Sequence, residues 1–367
     1  MKFSLERDTF AKVLKRIDGV CASRGSFQIL SSCMIEARGK TITVTGTDLD
    51  IALRVIEDAT VMEEGVIVIN ARRLLDTVQN QASGEVLLVS EGSQVLVQSG
   101  NFRARISCGD VTEYPKVPDI EIKSSLSIDA ITFKKLIDKT YFSISKDDSR
   151  AEFTGAFLKI SQEGNMQMVS TDGHRLSLAE ATVSVGDALP ESLETGVIIP
   201  RKALSELTKN ILDGDVVLDV SNSKLVIMSG SSIFYITLIA GNFPDFSKVV
   251  PVQLDHRCVV RRDEFQQILK RASIFTSKAG LIRLTMSKGQ LEVATQDVKA
   301  GEMSDFMVAD YDGTGVTAGF NWRYIDEILS VIDGESVSLE IIDMDSPAVV
   351  RDVDDRSFDF IIMPMQL

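Results

Sequence analysis

Apolar residues near the start of the chain first follow strand and then helix spacing. From Phe3 the order is strand, acidic residue, then a stripe formed by Phe10, Val13, Leu14 and Ile17. Spacing of three and four residues puts these side chains on one helix face. The same order returns from Leu126, anchored by Phe133, and from Cys258, anchored by Phe265. A hairpin-like pair follows each helix, beginning at Met34, Phe157 and Ile282, and Thr47, Thr171 and Thr295 within it are spaced by 124 residues. Strict alternation in Thr41-Ile42-Thr43-Val44-Thr45 predicts a half-buried strand. A second helix is predicted from Ile69, Ile199 and Phe320, and a closing hairpin from Glu85, Asp215 and Ser336.

Four elements in one order, three times, predict an internal triplication. The expected domains are 1–122, 123–252 and 253–367, with boundaries in polar, Pro-bearing stretches after Tyr114-Pro115 and after Asn242-Phe243-Pro244-Asp245. Helices fall between groups of strands rather than after every strand. That predicts an α+β fold of three tandem similar domains, each with two helices packed on antiparallel sheets. A length of 367 residues suits two or three domains, and 44% hydrophobic with 25% charged residues excludes disordered, collagenous and coiled-coil chains.

One stretch, Leu225 to Pro244, holds 20 uncharged residues, close to the length of a membrane span. Ser229-Gly230-Ser231-Ser232 interrupts it, so two strands joined by a turn are predicted instead. Cys21, Cys33, Cys108 and Cys258 show no metal-binding spacing, and the N-terminus has no secretory h-region. Reduced thiols in a cytoplasmic protein are the expectation.

The net charge of -14 repels polyanions when averaged over the molecule. The six predicted helix windows nevertheless carry 17 basic and 11 acidic residues, leaving -20 for the rest. Lys12, Lys15 and Arg16 lie largely off the first apolar stripe. One positive surface shared by the repeats would attract phosphate backbones without reading bases. The last helix, with Asp326 and Glu327, breaks the pattern.

No nucleotide-binding, zinc-protease or serine-hydrolase motif is present, and the histidines are His174 and His256. Thr171-Asp172-Gly173-His174-Arg175 has three readings: a Gly-containing turn, a partner-binding loop, or half of a hydrolytic site. No second His or Cys is placed to complete the last. Thr45-Gly46-Thr47-Asp48 reads as a turn held by its Asp. The acids Asp352, Asp354 and Asp355 lack the Gly and distal Glu of a calcium loop. No metal and no cofactor are expected. The end, Ile361-Ile362-Met363-Pro364-Met365-Gln366-Leu367, has no charged side chain. It reads as a last strand on the third sheet and, through its methionines, as the wall of an adaptable groove.

These strings carry a resemblance. The initial MKF, Thr45-Gly46-Thr47-Asp48-Leu49, Thr171 to Leu176, Pro200-Arg201-Lys202, Phe243-Pro244-Asp245 and the terminal Met363-Pro364-Met365-x-Leu367 are similar to the bacterial DNA polymerase III sliding clamps, over the whole chain. The resemblance implies a non-enzymatic processivity factor whose two copies join head to tail in a six-domain ring around duplex DNA, without sequence preference. It implies as partners the replicative polymerase catalytic subunit, a clamp loader, and other polymerases and repair proteins, but no membrane. It further implies a pocket for short peptides bearing Gln and a following hydrophobic pair. That pocket would use Phe153, Thr171, Gly173, His174, Arg175, Leu176, Pro244, Val249, Pro347, Ile361, Met363 and Met365. DNA contact falls to Arg24, Arg72, Arg201 and Lys202, whereas Asp147, Ala151 and Glu152 depart from the polar or aromatic residues expected in a DNA-facing loop. Dimer contacts fall to Arg103, Arg105 and Ile106 on one side and Ile274, Phe275, Glu302 and Asp305 on the other, with the acids pairing the arginines.

Overall fold

The computed structural model describes residues 1–22, 27–117, 126–186, 189–221, 223–251, 254, 256–297 and 301–367. The expected domain boundaries at 122/123 and 252/253 lie outside the described residues. Seven α-helices are present among those described: α1 (Arg7–Val20), α2 (Ala71–Gln79), α3 (Ala130–Tyr141), α4 (Glu191–Thr195), α5 (Arg201–Asn210), α6 (Arg262–Ser273) and α7 (Trp322–Val331). Six are the two helices expected of each repeat. The short α4 has no counterpart in the sequence reading; it follows Pro190 and buries Leu193.

The repeated helix starts have a local cause. Glu6 caps α1 by accepting from the Thr9 amide at 2.8 Å, and Asp129 caps α3 by accepting from the Thr132 amide at 2.9 Å. In α6 no side chain caps, and Asp263 and Glu264 occupy the positive first turn instead. Asn70 and Asn321 cap α2 and α7. The anchors Phe10, Phe133 and Phe265 are completely buried.

Contacts divide the described chain into two compact units, 1–134 with 183–194 and 202–238, and 135–182 with 195–201 and 239–367. The ranges cut through α3, α4 and α5, so the middle third contributes residues to both. Within the first unit lies a 13-stranded sheet. In it, Ile51–Asp58 of the first third pairs antiparallel with Ser232–Thr237 of the second, Leu53 opposite Phe234. The uncharged stretch forms the expected pair, Lys224–Ser229 and Ser232–Thr237, joined at Gly230 with φ +55°. No described helix is long and apolar enough to cross a membrane.

The second unit holds an eight-stranded and a four-stranded sheet. In the larger, Arg175–Thr182 pairs antiparallel with Phe358–Ile362, Ser177 opposite Phe360. Leu53 and Ser177 are 124 residues apart, so the same strand addition occurs twice at equivalent positions. In the smaller sheet the equivalent strand, Gly301–Val308, pairs with Gln290–Asp297 and forms the sheet edge.

Candidate functional site

The loop Thr171–Arg175 is built by its own side chains. Thr171 Oγ1 donates to the Arg175 carbonyl at 2.6 Å and accepts from the Gly173 amide at 3.0 Å. Asp172 Oδ1 accepts from the amides of His174 and Arg175 at 2.9 and 3.1 Å. Such Asx and ST closure competes with regular structure and ends the strand Asn165–Thr171. Gly173 takes φ +89° to complete the turn. The first repeat makes the same loop: Thr47 Oγ1 donates to the Ile51 carbonyl at 2.8 Å, and Asp48 Oδ1 accepts from Asp50 and Ile51 at 3.1 and 2.8 Å. There Leu49 occupies the left-handed position, at φ +84°.

Arg175 turns inward from this loop. Its Nε donates to Asp172 Oδ2 at 3.1 Å, Nη2 to the Phe142 carbonyl at 2.7 Å, and Nη1 to Glu327. The guanidinium also lies over the rings of Tyr324 at 4.6 Å and Phe142 at 5.2 Å. Burial, with the Asp172 charge behind it, pushes the Tyr324 phenol up. A buried cation with two carboxylates and a carbonyl is satisfied. Asp172 therefore holds the loop and Arg175, while the His174 side chain is exposed. No base is oriented by this carboxylate, and the hydrolytic reading loses its geometry.

An aromatic floor lies beside the loop. Phe157 stacks on Phe243 with centroids 5.0 Å apart, and Phe153 meets Phe243 edge-on at 6.2 Å. Phe246 meets Phe157 at 6.2 Å. Gly196, at φ +103°, leaves the space Phe157 fills: a Cβ there would lie 2.0 Å from the ring. The hydrophobic cluster beneath consists of Val169, Leu176, Leu178, Val349 and Ile361. Above it opens a cavity of about 190 Å³.

Of the twelve residues expected at a peptide pocket, nine line this cavity: Phe153, Thr171, Gly173, Arg175, Leu176, Pro244, Val249, Ile361 and Met363. His174, Pro347 and Met365 do not. His174 contributes its carbonyl, which accepts from the Met363 amide at 2.9 Å. Met365 instead donates its amide to the Gly319 carbonyl at 2.8 Å. Pro347 is half-buried just before the strand Ala348–Asp352. Arg150, Phe243, Asp245 and Phe246 line the cavity without having been expected. The Phe-rich string around Phe243-Pro244-Asp245-Phe246 was the available signal.

Polar groups rim this apolar interior. Arg150 lies over the Phe153 ring at 3.8 Å and pairs with Glu152 at 3.5 Å. The Ser247 hydroxyl and Lys248 hold the Asp245 carboxyl below the usual carboxylate range. The departing loop is ordered by its acids: Asp147 accepts from the Ser149 amide at 3.0 Å, and Ala151–Phe153 forms a 3-10 turn. An apolar cleft with few oriented polar groups suits a short peptide with hydrophobic anchors.

The expected DNA contacts are less open than the sequence implied. Arg24 lies outside the described residues. Arg72 pairs with Asp18 and Asp76, both at 3.3 Å, and Lys202 pairs with Asp48. Arg201 is taken up internally: it lies over the Tyr141 ring at 4.7 Å and donates to the Ile144 carbonyl at 3.1 Å. Arg16 is likewise committed to Asn210 and Ser232. Lys12 and Lys15 instead line a groove of about 410 Å³ with Asp8, Ala11, Leu75 and Gln79 of α1 and α2.

The residues expected at a dimer contact lie on two strands and one helix end. Arg103, Arg105 and Ile106 are in Phe102–Gly109, which pairs with Gln94–Ser99 and, through Cys108 and Gly109, with Gly65–Asn70. Ile106 is buried within its own sheet. Arg105 is held by Glu91 at 2.9 Å, and Asp305 by Arg271 at 2.8 Å, so neither is an unengaged charge in one copy. Ile274 is exposed and Phe275 half-buried. Phe306 and Val308, on the same edge strand as Glu302 and Asp305, are 66% and 82% exposed and were not expected.

Comparison with known proteins places these features in a family. Profiles of the DNA polymerase III beta subunit match in order: the N-terminal domain at 1–118, the central domain at 127–245 and the C-terminal domain at 247–366. The beta sliding clamps of Pseudomonas aeruginosa and Escherichia coli (strain K12) are each 29% identical over the full length of both chains. The crystal structure of the Bartonella birtlesii DnaN sliding clamp bound to griselimycin superposes at a TM-score of 0.93, with 28% identity and complete coverage of both chains. The beta subunit from DNA polymerase of Streptococcus pyogenes shares the fold at a TM-score of 0.94 and 22% identity, again with both chains fully covered. With the three domain profiles present in order across nearly the whole chain, this protein belongs to the DNA polymerase III beta subunit family, the beta sliding clamps.

Proposed function

We propose that two copies of this chain close head to tail into a ring that encircles duplex DNA and tethers a replicative polymerase by topology. It is a non-catalytic processivity factor, as its family is. A ring that cannot fall off needs little affinity for DNA, which agrees with cations already engaged in the fold: Arg72 and Lys202 pair with acids, and Arg201 is held by Tyr141 and the Ile144 carbonyl.

The observation that carries the reading is the repeated strand addition. Leu53 sits opposite Phe234, and Ser177 opposite Phe360. Leu53 pairs with Gly46 and Ser177 with Ser170, the residues just before Thr47 and Thr171; the residue that pairs with Ala294, just before Thr295, is Ser304, the third equivalent. The first-repeat equivalent of Phe234 is Ala104, since Gly100 and Gly230 occupy the same left-handed turn position, 130 residues apart. Carrying the register over puts Ser304 of one copy opposite Ala104 of the other, Asp305 opposite Arg103, and Phe306 opposite Phe102. Heterologous pairing of this kind gives closed rings when the rotation closes. Exposed Phe306, Val308 and Ile274 would be covered at the same seam, as an apolar edge strand requires. Arg103 with Asp305 is thus the ion pair that this register sets at the seam.

The cavity over the aromatic floor is the site we assign to partner peptides with a hydrophobic pair. Because partners would share one cavity, they bind in turn. The polymerase catalytic subunit, the clamp loader and repair polymerases are the partners that this reading names.

The test is topological. The protein is loaded by a clamp-loader complex and ATP onto nicked circular DNA. It should then stay bound through a high-salt wash and leave once a restriction enzyme linearises the circle. Loss from the intact circle at the same rate as from the linear form would overturn the ring.

A further inference from the structure

The C-terminal tail is fastened twice and then seated. Met363 donates its amide to the His174 carbonyl at 2.9 Å, and two residues later Met365 donates to the Gly319 carbonyl at 2.8 Å. Gly319 lies in the strand Val316–Asn321, opposite Arg283. A Cβ at Gly319 would lie 2.6 Å from the Met365 carbonyl oxygen, 2.9 Å from Leu367 Cδ2 and 3.1 Å from Leu281 Cδ1. The backbone here is an ordinary strand, so the glycine is required by the tail lying over it. Beyond it the Leu367 side chain, 58% exposed, packs one side over Gly319 and lines a second cavity, of about 710 Å³, with Leu281, Ala294 and Met303 among its walls. The tail thus starts in one cavity, through Met363, and ends in another, through Leu367.

We propose that Gly319 and Leu367 are positioning residues for the peptide cavity: seating Leu367 over Gly319 holds Met363 as its wall. The proposal rests on the reading of that cavity as the peptide site. The physical reason is entropic. One hydrogen bond near the end of a chain does not outweigh the freedom of several terminal residues and flexible methionine side chains. Without the apolar seat, the end of the chain frays and the wall at Met363 is lost. The tail carries no charged side chain after Asp359, in keeping with an apolar seat at its end.

The experiment is a fluorescence-anisotropy titration of labelled Gln-Leu-Ser-Leu-Phe peptide with the full chain. The variants are Leu367→Asp, Gly319→Ala, the pair combined, and Leu367→Met. Leu367→Asp and Gly319→Ala should each raise the peptide Kd by roughly 3- to 10-fold, the loss of about one contact. The double variant should bind no worse than the weaker single one, because both changes unseat the same segment. Leu367→Met should bind nearly as the parent does. In parallel, hydrogen exchange at the Met365 amide should be slow in the parent and fast in Leu367→Asp and Gly319→Ala. Parent-like peptide binding by Leu367→Asp overturns the proposal while leaving the peptide cavity standing. Additive losses in the double variant also overturn it, since independent damage adds. Absence of peptide binding by the parent overturns the reading of the cavity itself, and the exchange arm then separates a seated tail from a frayed one.

Discussion

Two positions 124 residues apart show how one backbone geometry is met by different side chains. Gly173 and Leu49 both stand in the left-handed region, at φ +89° and +84°, inside loops with the same hydrogen bonds. Glycine accepts that geometry freely, whereas a side chain there costs about 1–2 kcal/mol. Leu49 recovers little by burial, being 55% exposed. Leu49→Gly should therefore stabilise the protein by about 0.5–1 kcal/mol after the added freedom of the unfolded chain is counted. Gly173→Ala should destabilise it by about 1 kcal/mol. Thermal denaturation of both variants checks this; a lower melting temperature for Leu49→Gly would show that the exposed leucine makes contacts that outweigh its backbone cost. The cysteines follow burial in the same way. It pushes the Cys21 and Cys258 thiols up to about 12, so neither is a ready nucleophile at neutral pH.

At the scale of elements, two lysines of α3 are joined to chain segments about 200 residues away. Lys135 pairs with Asp355 at 2.7 Å, and Lys139, almost fully buried, pairs with Asp333 at 2.8 Å and donates to the Val331 carbonyl. Both ammonium groups lie near the Phe358 ring, at 4.9 and 5.3 Å. Burial alone would raise the Asp355 pKa, but Lys135 and Ser357 outweigh it and bring it down to about 2. A depressed folded pKa means that the unfolded chain takes up the proton first as pH falls. The Asp355 contribution is thus complete above about pH 4, the ordinary carboxylate value, and disappears as pH falls towards 2. Asp355→Asn should lower stability at pH 6 and flatten the loss of stability between pH 4 and 2, measured by urea denaturation at each pH. An unchanged slope in that range would assign the acid sensitivity to other carboxylates, such as Asp333, which Lys139 also holds low.

At the scale of the whole molecule, the repeated register names the pair of charges that should meet between copies. Arg103→Glu or Asp305→Arg alone places like charges opposite one another and should shift the protein towards monomer. The double reversal should restore the dimer. Sedimentation equilibrium across micromolar concentrations reads this directly. Dimers of equal strength in all variants would mean that the strands meet in another register. A rim ion pair adds little by itself, so the measurable effect is the repulsion in the single reversals.

The triplication, the α+β class and most of the cavity lining were legible before any coordinates, because they rest on periodicity and local chemistry. Phe10, Phe133 and Phe265 announce the repeats by spacing and are all fully buried. Thr171 and Asp172 form their loop with neighbours two to four residues away, so five consecutive residues determine it. What the sequence left open depends on partners far along the chain. Arg201 reads as a surface cation until Tyr141 and the Ile144 carbonyl take it up. Lys202 does so until Asp48 neutralises it, 154 residues away. Met365 belongs to the same terminal motif as Met363, yet the tail turns to Gly319 between them and carries only Met363 into the cavity. Local hydrogen bonds and the periods of strand and helix are written residue by residue, and the chain by itself determined them. Which charges are neutralised, and which apolar side chains share a cavity, was decided only when folding set distant segments against one another, because Coulombic and packing energies depend on distances that spacing along the chain does not contain.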